Sequence, residues 1–196
     1  MGINIFGNPT LTYHPLTSDR WKDVEGLFGP KGGCAGCWCM YWKQKQSEYD
    51  AKRGDENKKL FRKLVMSGKE MGILAYADGE AVGWCAVAPR EEYSRLARSR
   101  VLKPVDDKEV WSVVCFFIRA PNRKKGISAG LLEAAVEFAA ERGAKIVEGY
   151  PIEPKSDSYP PVYAWTGFAG AFKKAGFKEV ERRSPTRPIM RFKIPS

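Results

Sequence analysis

Residues 110–140 constrain the fold of this chain more than any other part of its sequence. They begin with VWSVVCFFI, a nearly uninterrupted apolar run that is typical of a strand covered on both faces. A short turn with four cationic side chains and Gly126 follows, and an apolar helical pattern comes directly after it. Because the free N–H groups of a helix start point into the preceding turn, the sequence predicts an anion site beside a central strand.

Two common phosphate-binding motifs do not fit this turn. A Walker loop ends in Gly-Lys-Ser/Thr after an earlier glycine, whereas the order here is Lys125-Gly126-Ile127-Ser128. A dinucleotide fingerprint needs three glycines, and only Gly126 and Gly130 are present. Direct hydrogen bonds to a charged group contribute about 1.5–3 kcal/mol each and the helix dipole about 0.3–1 kcal/mol, so direct contacts should dominate binding.

The turn resembles the coenzyme A-binding motif of the GNAT N-acetyltransferase superfamily, Arg/Gln-x-x-Gly-x-Gly/Ala after an apolar strand. Here the motif reads Arg123-Lys124-Lys125-Gly126-Ile127-Ser128, with serine at the last position. Residues 171–177, AFKKAGF, resemble the closing motif Phe-Tyr-x-x-x-Gly-Phe of the same superfamily. The order of elements from about residue 11 to residue 194 agrees with this resemblance.

Hydrophobic periodicity predicts the elements around the motif. Asp78-Gly79 favours a tight hairpin between two strands. The predicted helices cover residues 16–28, 57–67 and 167–174 besides the motif helix, and the predicted strands cover residues 71–76, 81–88, 110–118, 145–152, 177–183 and 189–194. The resemblance implies an α/β (α+β) GNAT fold: a mixed central sheet of about six to seven strands, splayed at the motif strand and flanked by about four helices.

Composition is consistent with one domain over residues 1–196. The chain is 43% hydrophobic and has no low-complexity linker or internal repeat. No run of about twenty apolar residues and no signal-peptide pattern is present, so a cytoplasmic protein without membrane contact is expected.

Five cysteines favour reduced thiols. The net charge of +10 is spread along the chain without a nucleic-acid motif, and it would attract the phosphates of coenzyme A.

Residues 29–42, GPKGGCAGCWCMYW, are termed the cysteine loop and allow three interpretations. A zinc site would need four ligands, and the only histidine, His14, lies outside any Cys/His spacing, so no metal is expected. The loop could instead pack as core. In the superfamily this region shapes the acceptor site, so the resemblance implies a substrate wall that includes Trp38, Tyr41 and Trp42.

The resemblance also implies which residues hold acetyl-CoA. Strand amides near Phe116 to Ile118 would bind the pantetheine arm and the thioester carbonyl, and the turn would bind the phosphates. The expected coenzyme-binding residues are Phe116, Phe117, Ile118, Arg123, Lys124, Lys125, Gly126, Ile127, Ser128 and Ala129.

The catalytic acid is the main departure from the superfamily pattern. Aligning residues 171–172 with Phe-Tyr places Phe172 where a tyrosine hydroxyl usually acts. Tyr163, Tyr159 and Cys115 are alternative proton donors. Glu148 and Tyr150, two apart on the next predicted strand, point to one side and could meet a cationic acceptor. A buried Glu148 would have to be paired or functional.

The resemblance therefore implies an acetyl-CoA-dependent N-acetyltransferase that acts on a primary amine of a small molecule or protein. The substitution of Phe172 for tyrosine motivates an alternative, a catalytically degenerate sensor or interaction module that binds acyl-CoA. Members of the superfamily often dimerise, so a homodimer is a further implication. Nothing in the sequence identifies the acceptor amine.

Overall fold

The computed structural model describes residues 10–155, 159–160 and 163–195. Its centre is a seven-stranded mixed sheet with the order β1-β2-β3-β4-β5-β7-β6. Only β4 and β5 pair in parallel; the other ladders are antiparallel. The strands are β1 (Leu11–Pro15), β2 (Gly72–Ala77), β3 (Glu80–Pro89), β4 (Trp111–Ile118), β5 (Ile146–Gly149), β6 (Lys178–Arg182) and β7 (Pro188–Lys193).

Six α-helices lie within the described residues, where about four were predicted. They are α1 (Trp21–Phe28), α2 (Gln46–Ala51), α3 (Asp55–Met66), α4 (Ser94–Ala97), α5 (Ile127–Ala140) and α6 (Ala169–Lys174). The two additional helices, α2 and α4, have only six and four residues, too few to show a helical period. None of the described helices has the length and apolarity needed to cross a membrane.

Two apolar layers cover the sheet. One contains side chains of α1, α3 and the cysteine loop together with Trp84 of β3. The other contains side chains of α5 and α6, including Leu131 and Phe172. Strand β4 contributes Val114 to the first layer and Val113 to the second, which explains its nearly continuous apolar sequence.

A β-bulge in β4 creates the feature on which the site depends. Ala86 of β3 pairs with Cys115 and Val87 pairs with Val113, so Val114 is an extra residue on β4. Such a bulge bends the strand. The parallel ladder to β5 ends at Val113 and Gly149, while β4 continues to Ile118, and none of the described strands pairs with it on that side. The expected mixed sheet with a splay at the motif strand is therefore present.

Candidate active site

A cavity of about 1060 Å³ opens at the splay. It is lined by β4 from Cys115 to Ile118, by the cysteine loop and by the turn before α5. Ala164, Trp165 and Gly167 complete this part of the lining. The side chains of Arg123, Lys124 and Ser128 lie at the end formed by the turn. The cavity therefore joins a cationic corner to an apolar interior along the exposed edge of β4.

The cationic corner is built around Gly126. This residue caps α5 in the left-handed conformation at φ 79°, which glycine adopts without steric cost, and nothing lies within 4 Å of the position of an added Cβ. Lys124 also has a positive φ, 62°. Residues 123–126 are exposed, and within the described residues the amides of Ile127 and Ser128 donate to no backbone carbonyl.

A second cavity of about 240 Å³ lies between this corner and α6. It shares Ile118, Lys124 and Ser128 with the larger cavity and is also lined by Lys174. The side chains of Lys124 and Lys174 and the residues at the start of α5, Ile127 and Ser128, thus lie around one small space. This arrangement is suited to a diphosphate, because the lysine side chains and the N–H groups at the helix start can bind the same phosphate oxygens.

Not every predicted coenzyme-binding residue can contact a ligand through its side chain. The side chains of Ile127 and Ala129 are buried in the core, so these residues can contact a ligand only through the backbone. The Ala129 amide already donates to the Gly126 carbonyl at 3.0 Å. Lys125 is exposed and lines neither cavity.

The expected row of free amides along β4 needs correction. Arg119 N–H donates to the Val82 carbonyl of β3, so by alternation Phe117 N–H also faces β3, while the amides of Phe116 and Ile118 face the splay. Phe116 N–H donates to the Trp165 carbonyl at 2.6 Å. Within the described residues, the Ile118 amide makes no backbone hydrogen bond outside the ladders. The Phe116 amide can donate to a ligand carbonyl only after the Trp165 carbonyl moves away from it.

The predicted substrate wall is only partly at the cavity. Tyr41 lines it, whereas Trp38 and Trp42 are 2% and 8% exposed and lie in the core. Trp42 Nε1 donates to the Val114 carbonyl at 2.9 Å, which supports the bulge. Sequence reasoning missed other aromatic residues of the wall, because their exposure depends on tertiary packing; they are Phe28, Tyr49, Trp84, Tyr159, Trp165 and Phe168.

Glu148 and Tyr150 share a buried side, but that side does not reach the cavity. Glu148 is 1% exposed and accepts hydrogen bonds from Arg191 Nε at 2.7 Å and Arg90 Nη1 at 3.0 Å. The Tyr150 hydroxyl donates to Glu148 at 2.7 Å, and burial raises the pKa of Tyr150. Arg191 also pairs with Asp106 at 2.7 Å, so two carboxylates face two guanidinium groups. The cluster therefore has the character of a structural ion-pair network.

Of the positions associated with the proton donor, Cys115 lines the cavity, whereas Tyr163 and Phe172 do not. The Tyr163 side chain is 60% exposed and does not contribute to the described lining. Phe172 is fully buried, with its ring centroid 6.0 Å from that of Phe116 and 5.1 Å from that of Phe177. An added Cβ at Gly149 would lie 2.1 Å from the Phe172 ring, so the ring packs directly on the β5 backbone.

Four cysteines line the larger cavity: Cys34, Cys37 and Cys39 of the cysteine loop, and Cys115 of β4. Trp84 Nε1 donates a hydrogen bond to Cys39 Sγ at 3.2 Å. Across residues 10–155, 159–160 and 163–195, no three His, Cys, Asp or Glu side chains form a group that could hold a metal ion.

Comparison with known proteins places the chain in a family. The profile of the Acetyltransferase (GNAT) family matches residues 36–154. An uncharacterized N-acetyltransferase of Archaeoglobus fulgidus is 32% identical over 101 residues, which cover 52% of this chain and 62% of the relative. The match thus spans less than two thirds of the length of that relative.

Solved structures share the fold at low sequence identity. An acetyltransferase of the GNAT family from Streptococcus pneumoniae superposes with a TM-score of 0.53 at 13% identity, over 95% of this chain and all of the other. The PaiA N-acetyltransferase of Thermoplasma acidophilum, solved in complex with coenzyme A, gives 0.52 at 14% identity, over 94% and 99%. Together with the profile match over more than half of its length, these findings establish that the chain belongs to the GNAT acetyltransferase family.

Proposed function

We propose that this chain transfers an acetyl group from acetyl-CoA to a primary amine of a small molecule or a protein. The observation that carries the proposal is the continuity of the cavity from the cationic corner at Lys124 and Ser128 along β4 to Cys115. Diphosphate would bind at the corner, and the thioester arm would lie along the splay.

The residues present fit such a ligand in charge and in backbone geometry. Arg123, Lys124 and Lys174 supply cations, and the amides of Ile127 and Ser128 supply donors. The Ile118 amide faces the splay, where it can donate to a carbonyl of the arm. An amide aimed at the reacting carbonyl stabilises the oxyanion that forms when an amine attacks. The binding of coenzyme A by the Thermoplasma acidophilum relative agrees with this assignment.

The acceptor would enter beside Tyr41 and Tyr159, where aromatic side chains line the cavity. These rings can hold the apolar part of an amine or stack on its cationic form before it loses a proton. We assign the acceptor only to the class of primary amines.

Two measurements test the proposal in sequence. Thermal unfolding with and without acetyl-CoA tests binding, and a rise in the unfolding temperature is expected because the ligand binds only the folded state. Release of free coenzyme A thiol with a panel of polyamines, amino acids, aminoglycosides and peptides then tests transfer. Binding without amine-dependent thiol release would favour the acyl-CoA sensor, and absence of binding would contradict both functions.

A further inference from the structure

The part of the cavity at Tyr41, where the acceptor would enter, carries a positive charge of its own. Arg53 lines the cavity there together with Tyr49, and none of the described lining residues is Asp or Glu. Arg53 lies between α2 and α3, on the side of the sheet that α3 and the cysteine loop cover, whereas Arg123 and Lys124 lead into α5 on the other side. This guanidinium group is therefore separate from the cationic corner that would bind the coenzyme.

Backbone contacts fix the position of Arg53 beside the cysteine loop. Gly54 N–H donates to the Gly36 carbonyl at 3.0 Å, and an added Cβ at Gly36 would overlap the Gly54 nitrogen. The buried side chain of Asn57 donates to the same carbonyl at 3.4 Å. Because the two segments are in direct contact, the residue before Gly54 is held at the cavity wall.

Most of the hydrogen-bonding capacity of Arg53 is unused within the described part of the chain. A guanidinium group has five N–H donors, and here only Nη2 donates, to Asp50 Oδ1 at 2.6 Å. The two side chains of this pair are 50% and 44% exposed, and such exposed pairs are weak. Arg53 therefore retains donors for the carboxylate of a ligand, whose two oxygens match the planar guanidinium group.

A second guanidinium group lies behind the same wall and has no acidic partner among the described residues. Arg95 Cζ lies 3.9 Å from the centre of the Tyr41 ring and 5.6 Å from that of Tyr49. Arg95 Nη1 donates to the neutral side chain of Gln46, and its Nε and Nη2 are buried without a hydrogen-bond partner. The two guanidinium groups beside these rings thus share one carboxylate, Asp50, and the wall favours an anion.

Aromatic rings connect Arg53 with the splayed edge of β4. The Trp165 carbonyl accepts the hydrogen bond of Phe116 N–H, and the Trp165 ring centroid lies 5.1 Å from that of Tyr41. The Tyr41 centroid lies 5.3 Å from that of Tyr49, and the Tyr49 centroid lies 5.1 Å from Arg53 Cζ. All three rings line the cavity. An amine at β4 and an anionic group at Arg53 would therefore be separated by an apolar spacer that packs on these rings.

We propose that the acceptor is a primary amine that also carries a carboxylate, several bonds away from the nitrogen, and that Arg53 binds this carboxylate. The inference rests on the proposed acetyltransferase function and narrows its class of acceptor. Polyamines and aminoglycosides carry additional positive charges, which would meet like charge at this wall, so they are expected to be poor acceptors.

The carboxylate takes no part in the reaction itself. The amine nitrogen forms a bond to the acetyl carbon, the bond from that carbon to the coenzyme sulfur breaks, and a proton of the amine passes to the coenzyme thiolate. The products are the amide and free coenzyme A. Arg53 therefore acts on the affinity and orientation of the acceptor.

Matched acceptors test the proposed class. The amine para-(aminomethyl)benzoate and its carboxamide share the same nitrogen and ring and differ by one negative charge; ε-aminocaproate and its carboxamide form a second pair with an aliphatic spacer. Release of coenzyme A thiol gives kcat/KM for each, and the ratio within a pair measures the preference for the carboxylate. A ratio of about 10 to 100 is expected, since a charged hydrogen bond contributes a factor of this size. Ratios of one or less in both pairs, or faster acetylation of spermidine, would overturn the proposed class and leave the acetyltransferase proposal intact.

Variants test whether Arg53 is the source of the preference. Arg53→Gln should lower the ratio to about one, mainly by raising KM for the carboxylate acceptor, and Arg53→Lys should keep part of it. Asp50→Asn should raise the ratio, because it removes the carboxylate that competes for Arg53. Arg62→Gln is the matched control: it removes the same charge from an exposed position of α3 that does not line the cavity. A folded Arg53→Gln protein with the wild-type ratio would contradict the role of Arg53.

Calorimetric titration with coenzyme A separates this inference from the proposed function. Each variant should bind coenzyme A as the wild type does, because the cationic corner is unchanged. If Arg53→Gln alone weakens this binding about tenfold or more, Arg53 belongs to the coenzyme site and the inference fails. If the wild type does not bind coenzyme A, the proposed function fails and the inference fails with it.

Discussion

The two halves of β4 lie in contrasting surroundings. From Trp111 to Val113 the strand pairs with β5, and the charges beside this ladder are buried and matched, with Glu148 between Arg90 and Arg191. From Cys115 to Ile118 none of the described strands pairs with it on that side, and it faces a cavity lined by thiols and cations. One residue of bulge, Val114, separates the two halves.

The contrast teaches where function can be expected along one strand. A buried carboxylate is stable only if its charged partners are held in place, so substitutions beside the paired half of β4 should change the stability of the fold. The splayed half keeps backbone donors and the Cys115 thiol beside a cavity, so substitutions there should change ligand affinity and reaction rate. Each of the following predictions tests this division.

Glu148→Gln should cause the largest change, and it should appear in stability. The substitution removes the charge that faces two guanidinium groups, and breaking a buried pair costs about 3–5 kcal/mol. Urea unfolding measures the free energy, and calorimetry measures coenzyme A affinity, which should stay unchanged in the folded variant. Glu56→Gln is the matched control: its side chain is 58% exposed and pairs with Lys59, so no measurable change in the free energy of unfolding is expected.

A stable Glu148→Gln protein that has lost coenzyme affinity would reverse the interpretation. Glu148 would then act on the ligand rather than on the ladder, and the boundary at Val114 would not separate structure from function.

Gly126→Asp should produce the largest effect in the splayed half. Its carboxylate would lie where the diphosphate is expected, and the loss of one charged hydrogen bond, about 1.5–3 kcal/mol, weakens binding about 10- to 100-fold. Gly126→Ala is the control, since both variants carry the same strain at φ 79° and neither added Cβ meets a neighbour within 4 Å. Equal dissociation constants for coenzyme A in the two variants would contradict the binding of the diphosphate at this turn.

The sequence predicted most of the elements that carry this site. The strand, cationic turn and helix could be located from residues 110–140, and the helix predicted over residues 57–67 is Asp55–Met66. The bulge at Val114 could not be predicted, because it is defined by pairing with β3. For the same reason, no local pattern indicated that Arg191 pairs with Glu148 or that Cys39 and Cys115 line the same cavity. These contacts depend on the order of strands, which brings distant residues together.

Phe172→Tyr should have a moderate effect on stability and should not restore a catalytic acid. The ring lies on Gly149 and is fully buried, so a hydroxyl there would lack room and a partner. An unsatisfied buried hydroxyl costs about 1–3 kcal/mol, measurable as a shift of the urea midpoint. Phe172→Leu is the control for lost ring packing without a new polar group. A rise in turnover for Phe172→Tyr would indicate that this hydroxyl reaches the splay.

Tyr163→Phe should have the smallest effect. The side chain is 60% exposed, its ring centroid lies 6.4 Å from that of Tyr159, and it does not contribute to the described cavity lining. A proton donor in the transition state contributes about 100-fold or more, whereas turnover is expected to stay within about twofold here. Tyr159→Phe is the informative comparison, because Tyr159 does line the cavity. A drop of about 100-fold in turnover for Tyr163→Phe, with unchanged coenzyme affinity, would make Tyr163 the general acid and would place the proton donor outside the splayed half of β4.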